Sequence, residues 1–269
     1  NALLHESYHE LLLDTHIDFI KAGAQVIVTT TFTTRKLRLR DNGVEDKFEY
    51  LNRKAGEIAK KAKDLYPKTL IAGGLPPQYI TYEADTRSDN EIRNDFFSQA
   101  KILNDYVDFF YFDVLSSVRE FKIAIEAIKN FNKPYLVGAH ISEGTKLPSG
   151  EKISEILKVT SSDKMLGLIL SCVSPENYEL NLSEIKNLGV PFGFKLNAFI
   201  KTNPKPNYAG DYKKNKTRNP NELLGQRKDL TPEKMAEFAK RFKESGATIL
   251  GGCCETRPAH IKEMSKLIL

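Results

Sequence analysis

Seven short runs of apolar and β-branched residues recur along the chain, at 26–32, 70–73, 107–112, 135–138, 166–170, 192–196 and 248–251. They are continuous rather than alternating, which is how strands buried on both faces of a parallel sheet read. Amphipathic stretches fill the intervals, such as Phe48, Leu51, Ala55, Ile58 and Ala62, or Met235, Phe238, Ala239 and Phe242, spaced at three or four residues as on one helical face. Ser174-Pro175 and Thr231-Pro232 each place a capping hydroxyl before a proline at the first helical position. Strand and helix alternating this often, with each strand followed by a helix, call for right-handed βαβ units and a parallel sheet.

An eight-stranded barrel takes about 250 residues, and the chain has 269. The expected fold class is therefore α/β, a (β/α)8 TIM barrel forming a single domain over 1–269. Asn1 leads straight into a helical pattern, Leu12, Ile17 and Ile20, so the first β-strand is expected to be missing from this sequence. A stretch at about 200–230, rich in Asn, Pro, Lys and Tyr and holding the basic cluster Lys213, Lys214, Lys216 and Arg218, reads as a loop insertion at an active face.

Composition closes off other classes. At 41% hydrophobic the chain is too apolar for disorder, and 3 cysteines are too few for a disulfide framework. There is no run of about 18 apolar residues and no signal pattern, so a soluble cytoplasmic protein with no membrane partner is expected. A net charge of +5, with Lys and Arg interspersed among acids, is a solvated surface rather than a nucleic-acid footprint. Oligomeric state is left open.

The cysteines are few but placed alike. Cys172 ends the fifth run, and Cys253-Cys254 follow Gly251-Gly252 at the end of the seventh. Three thiolates converging from two strand ends make a zinc site with one position open. With a formal charge of −1, such a Zn2+ site is a poor generator of hydroxide and a better holder of a fourth, exogenous thiolate, so the chemistry implied is alkyl transfer to a bound thiol. The plainer reading is three small buried residues, and an oxidised sample could join Cys253 to Cys254.

These residues resemble the homocysteine S-methyltransferase family over nearly the whole chain. The resemblance is carried by Ala22-Gly23-Ala24 with Thr29-Thr30-Thr31-Phe32, Ala72-Gly73-Gly74-Leu75, Phe112-Asp113, Ser142-Glu143-Gly144-Thr145, Leu196-Asn197 and Cys172 with Pro175. Its most specific part is Gly251-Gly252-Cys253-Cys254 with Thr256, Pro258, His260 and Ile261. The resemblance implies a barrel in which Cys172, Cys253 and Cys254 hold zinc and homocysteine binds through its thiolate. It also implies that Asp113, where Glu is usual, meets the substrate ammonium, and that Thr31 and Asn197 line the pocket. Ser171 stands where Asn is usual and Glu255 where Gly is usual, and the glycine-rich first strand is absent.

The donor is expected to be a sulfonium or quaternary ammonium compound: S-methylmethionine, S-adenosylmethionine, dimethylsulfoniopropionate or betaine. Such donors leave as neutral molecules, so positioning carries the rate. Aromatic candidates to face the cation are Phe32, Tyr79, Tyr82, Tyr111, Phe199 and Tyr208. Thr33 and Val114 stand where betaine-using relatives carry tyrosine, which weakens betaine. The other reading of the whole is a non-catalytic zinc-binding barrel, a scaffold or thiol sensor.

Overall fold

A computed structural model describes residues 2–160, 163–202 and 223–268. Seven parallel strands lie in one sheet in chain order: β1 (Val26–Val28), β2 (Leu70–Leu75), β3 (Phe109–Leu115), β4 (Tyr135–Ala139), β5 (Met165–Val173), β6 (Phe192–Leu196) and β7 (Ile249–Gly252). Each of the seven apolar runs contains its strand or overlaps it. The first is shorter than the sequence suggests: beyond Val28 the contacts to β2 pass to threonine side chains, the Thr29 hydroxyl accepting from the Gly74 amide and the Thr31 hydroxyl donating to the Gly74 carbonyl. The helices are α1 (His9–Lys21), α2 (Lys36–Arg40), α3 (Phe48–Leu65), α4 (Asp89–Leu103), α5 (Val118–Ile128), α6 (Pro175–Ile185), α7 (Pro232–Glu244) and α8 (Pro258–Ser265). After β4 the expected α-helix is replaced by a 3-10 turn, Ile153–Lys158.

Both proline-led helix starts are capped as expected. Ser174 accepts a hydrogen bond from the Asn177 amide and Thr231 from the Lys234 amide, which satisfies backbone donors that have no intrahelical partner.

The sheet divides its side chains by parity. Phe110 and Phe112 of β3, Leu168 and Leu170 of β5, and Phe192, Phe194 and Leu196 of β6 face the helices in one large core. There Phe112 meets Phe96 of α4 and Phe121 of α5 edge-on, with ring centroids 6.4 Å apart in each pair. Residues of opposite parity, Val28, Ala72, Tyr111, Leu136, Ile169, Lys195 and Ile249, one from each strand, line a common cavity of about 600 Å³. A sheet whose every strand lines one cavity is curled as in a barrel. Among the described residues β7 does not pair with β1, and the gap between them, flanked by Thr15, His16 and Phe19 of α1, is where the eighth strand of a closed barrel would lie. No helix among the described residues is long and apolar enough to cross a membrane.

Candidate metal centre

Cys172 belongs by parity with Leu168 and Leu170, facing the helices. It does not go there. The β5–β6 register slips between Ser171 and Val173, and Cys172 takes the left-handed region at φ 57°. That bulge turns its side chain to the barrel mouth and returns Val173 to the core behind. On β3 the same device, with Val114 at φ 69° and a slip between Phe112 and Leu115, brings Val114 into the same cluster. A left-handed backbone at a β-branched residue is strained, and such strain gathers at functional sites.

Cys253 and Cys254 arrive at the end of β7 and are pinned there. The Cys253 amide donates to the Leu196 carbonyl, and the Cys254 carbonyl accepts from the Ala198 amide. Thr256 turns back to donate its hydroxyl to the Cys253 carbonyl at 2.6 Å. A Cβ on Gly252 would sit 2.4 Å from the Thr256 hydroxyl oxygen, so only glycine allows this turn. His260 closes the loop, its Nδ1 accepting from the Arg257 amide at 3.0 Å.

The three sulfurs lie within 4.8 Å of one another, with Cys172 to Cys254 at 3.8 Å and Cys253 to Cys254 at 3.9 Å. Ligand sulfurs around a tetrahedral zinc with Zn–S about 2.3 Å stand about 3.8 Å apart. All three are free thiols. Hydrogen bonds from its two partners hold the Cys172 thiol well below its usual range, while the hydrogen bonds they give to Cys172, and then its charge, push Cys253 up to about 12 and Cys254 well up too. The cluster thus takes one negative charge readily and resists a second and third, the behaviour of a site that needs a cation to ionise fully. The donor set, spacing and charge all fit a divalent thiophilic metal.

Around the thiols the wall is aromatic. Phe32, Tyr82 and Phe199 pack with the three cysteines, Val114 and Leu224. The Tyr82 hydroxyl is 3.5 Å from the Cys172 sulfur. Behind Tyr82, at 4.3 Å between centroids, lies the buried His140 ring, whose pKa burial lowers to about 4, so it is neutral at physiological pH. Its Nε2 lies 2.6 Å from the Ser142 hydroxyl. Of the other aromatic candidates, Tyr79 carries Arg87 over its ring and Tyr111 lies beneath Lys195. Tyr208 and the cluster Lys213, Lys214, Lys216 and Arg218 lie outside the described residues.

Asn197 sits beside the centre. Its Nδ2 donates to the Cys172 carbonyl at 2.7 Å and lies 3.7 Å from the Cys172 sulfur, and its Oδ1 accepts from the Phe199 amide. Thr31 is fully buried and uses its hydroxyl on the Gly74 carbonyl at 2.6 Å. Asp113 faces inward from β3 and is held by Lys195 of β6, whose Nζ reaches both carboxylate oxygens, at 2.7 and 2.9 Å. Burial pushes the Asp113 carboxyl up and Lys195 opposes it; burial likewise opposes the Lys195 charge, but Asp113 more than offsets this and holds its pKa well above the usual range. The helix that follows β3, α5, is capped by Ser117, whose hydroxyl accepts from the Glu120 amide.

Lys195 escaped sequence reasoning, although a lysine in the middle of an otherwise apolar buried run was its signal. With it comes a polar layer inside the barrel, in which Tyr111 bonds the Ser171 hydroxyl. A Cβ on Gly138 would lie 2.6 Å from both the Ser171 oxygen and the Tyr111 ring, so the glycine on β4 makes room for that contact.

Comparison with known proteins settles the class. The profile of the homocysteine S-methyltransferase family matches residues 1–268. The chain belongs to that family. It is 24% identical over 293 residues to selenocysteine methyltransferase of Astragalus bisulcatus, covering 96% of this chain and 82% of that protein. It is 26% identical over 271 residues to betaine–homocysteine S-methyltransferase 1 of Mus musculus, with 96% of this chain and 64% of that protein covered. The fold is that of the homocysteine methyltransferase MmuM from Escherichia coli. Its metallated form superposes with a TM-score of 0.77 at 19% identity over 98% of this chain and 86% of that one, and its oxidized form with 0.76.

Proposed function

We propose that this chain is a zinc-dependent enzyme that moves a methyl group from a sulfonium or quaternary ammonium donor to the thiolate of homocysteine, giving methionine. The observation that carries the reading is the convergence of the Cys172, Cys253 and Cys254 sulfurs within 4.8 Å of one another; these three would hold zinc and leave the metal able to take a substrate thiol. When bound, zinc would keep the substrate sulfur deprotonated and still nucleophilic at neutral pH.

The chain's own residues supply position. Asn197 and Tyr82 fix the carbonyl and the sulfur of Cys172. Asp113 offers the substrate ammonium its remaining lone pairs, since a carboxylate can accept about four hydrogen bonds and Lys195 takes two. Phe32, Tyr82 and Phe199 exclude water and present ring faces to a cationic donor. As the new sulfur–carbon bond forms, the donor's carbon–heteroatom bond breaks with its electron pair, and the donor's sulfur or nitrogen is left uncharged without needing an acid. S-methylmethionine, S-adenosylmethionine, dimethylsulfoniopropionate and betaine all meet this requirement.

The test is methionine formation from homocysteine by the zinc-loaded protein with each donor in turn. Turnover with at least one donor is expected. No turnover with any, at full zinc occupancy, leaves the scaffold or thiol-sensor reading instead.

A further inference from the structure

Arg35 stands at the start of α2 with only 6% of its surface exposed. Its Nη1 donates to the Phe32 carbonyl at 3.2 Å and its Nη2 to the Thr81 hydroxyl at 2.8 Å, and its buried Nε has no acceptor. Both partners are neutral. A guanidinium has five N–H donors, and these two bonds use two of them. Burial lowers its pKa to about 9, so the group is charged at neutral pH; Arg38 works against that charge, and Tyr82 and Asp41 favour it.

The place of this cation matters. The guanidinium lies 5.3 Å from the centre of the Phe32 ring, and that ring packs against the cysteine cluster. Thr81, its other contact, adjoins Tyr82, whose hydroxyl approaches Cys172. Arg35 therefore ties together the two loops that wall the thiol site. Tying two neutral oxygens does not require a permanent charge, and an unpaired buried charge is strongly destabilising. The unused donors mark a place where an anion belongs, and Arg presents a fork suited to carboxylate.

We propose that Arg35 pairs with the carboxylate of a substrate bound at the thiol site. This rests on the methyl-transfer reading and adds the acid group by which a substrate is selected. Homocysteine and several of the candidate donors carry such a group, and the experiment separates the two sources.

In the thiol arm, protein loaded with Co(II) is titrated with L-homocysteine and with 3-mercaptopropylamine, the same thiol lacking the carboxylate, and thiolate-to-cobalt absorption reads binding without turnover. In the donor arm, calorimetry of the zinc-loaded protein compares dimethylsulfoniopropionate with ethyldimethylsulfonium, which lacks the acid. In one arm the carboxylate should tighten binding by at least about 10-fold, the size of a charge-assisted pair, and the arm that responds names the source. Arg35→Gln should erase that preference while leaving affinity for the carboxylate-free analogue within about threefold.

The proposal is overturned if the wild-type protein shows no carboxylate preference in either arm, a result that needs no folded variant. It is also overturned if the preference survives in Arg35→Gln, or, should that variant not fold, if Arg35→Lys retains the full wild-type preference. Cobalt absorption that responds to neither thiol counts against the methyl-transfer reading itself, and calorimetry of the donors still decides the role of Arg35.

Discussion

At the residue scale, the departures of this chain from its family have physical consequences. Glu255, directly after the Cys pair, adopts φ 62°, a left-handed conformation that glycine takes without strain. Glu255→Gly should therefore stabilise the protein by up to about 1 kcal/mol in urea unfolding; a clear loss of stability would mean that the Glu255 side chain holds the loop. The Asp113–Lys195 pair makes a sharper case. Lys195→Met strands a buried carboxylate and should cost about 3–5 kcal/mol, whereas adding Asp113→Asn should recover most of the loss. If the double variant is as unstable as the single one, the lysine acts through packing rather than charge. Identity at this scale was readable, since all three cysteines were in view as a set. Orientation was not: strand parity sends Cys172 outward, and the bulge that reverses it leaves no mark in the residue types. Lys195 was hidden for a related reason, because which face a lysine takes in a continuous apolar run depends on register.

At the scale of elements, the strands were legible because burial on both faces leaves a continuous apolar run, and the helix starts because Ser174 and Thr231 with their prolines have one mechanical meaning. The 3-10 turn after β4 was not legible, since its apolar residues, Ile153 and Ile156, are spaced as on an α-helix and are buried all the same. The first turn of α5 offers a test in pH. Glu120 is buried at that helix start, where it accepts from the Ser117 hydroxyl, and burial raises its pKa to about 7 from 4.5. A carboxyl raised on folding adds stability that is fully present below pH 4.5 and lost as pH rises through about 7. The shift corresponds to roughly 3 kcal/mol. Relative to wild type, Glu120→Gln should gain stability progressively from pH 4.5 to 8 in thermal or urea unfolding. A difference between the two proteins that does not change over that range would show that Glu120 is ionised throughout.

At the scale of the whole molecule, the curled sheet gathers the carboxyl ends of its strands at one mouth and there brings Cys172 to the Cys253-Cys254 pair, 81 residues further along the sequence. Cys172 hangs on β5 and β6, and the Cys pair, although it follows the β7 strand that borders the open side, is held by the Leu196 carbonyl and the Ala198 amide on the β6 side. The proposed chemistry requires that the three cysteine sulfurs hold one zinc and that the substrate thiolate join them. X-ray absorption at the zinc edge, on the zinc-loaded protein before and after L-homocysteine, reads the sulfur count directly. Three sulfurs at about 2.3 Å with one lighter ligand, becoming four sulfurs when homocysteine is added, is the result this structure predicts. An unchanged shell on addition of homocysteine, or a zinc without three sulfurs at the outset, would contradict it.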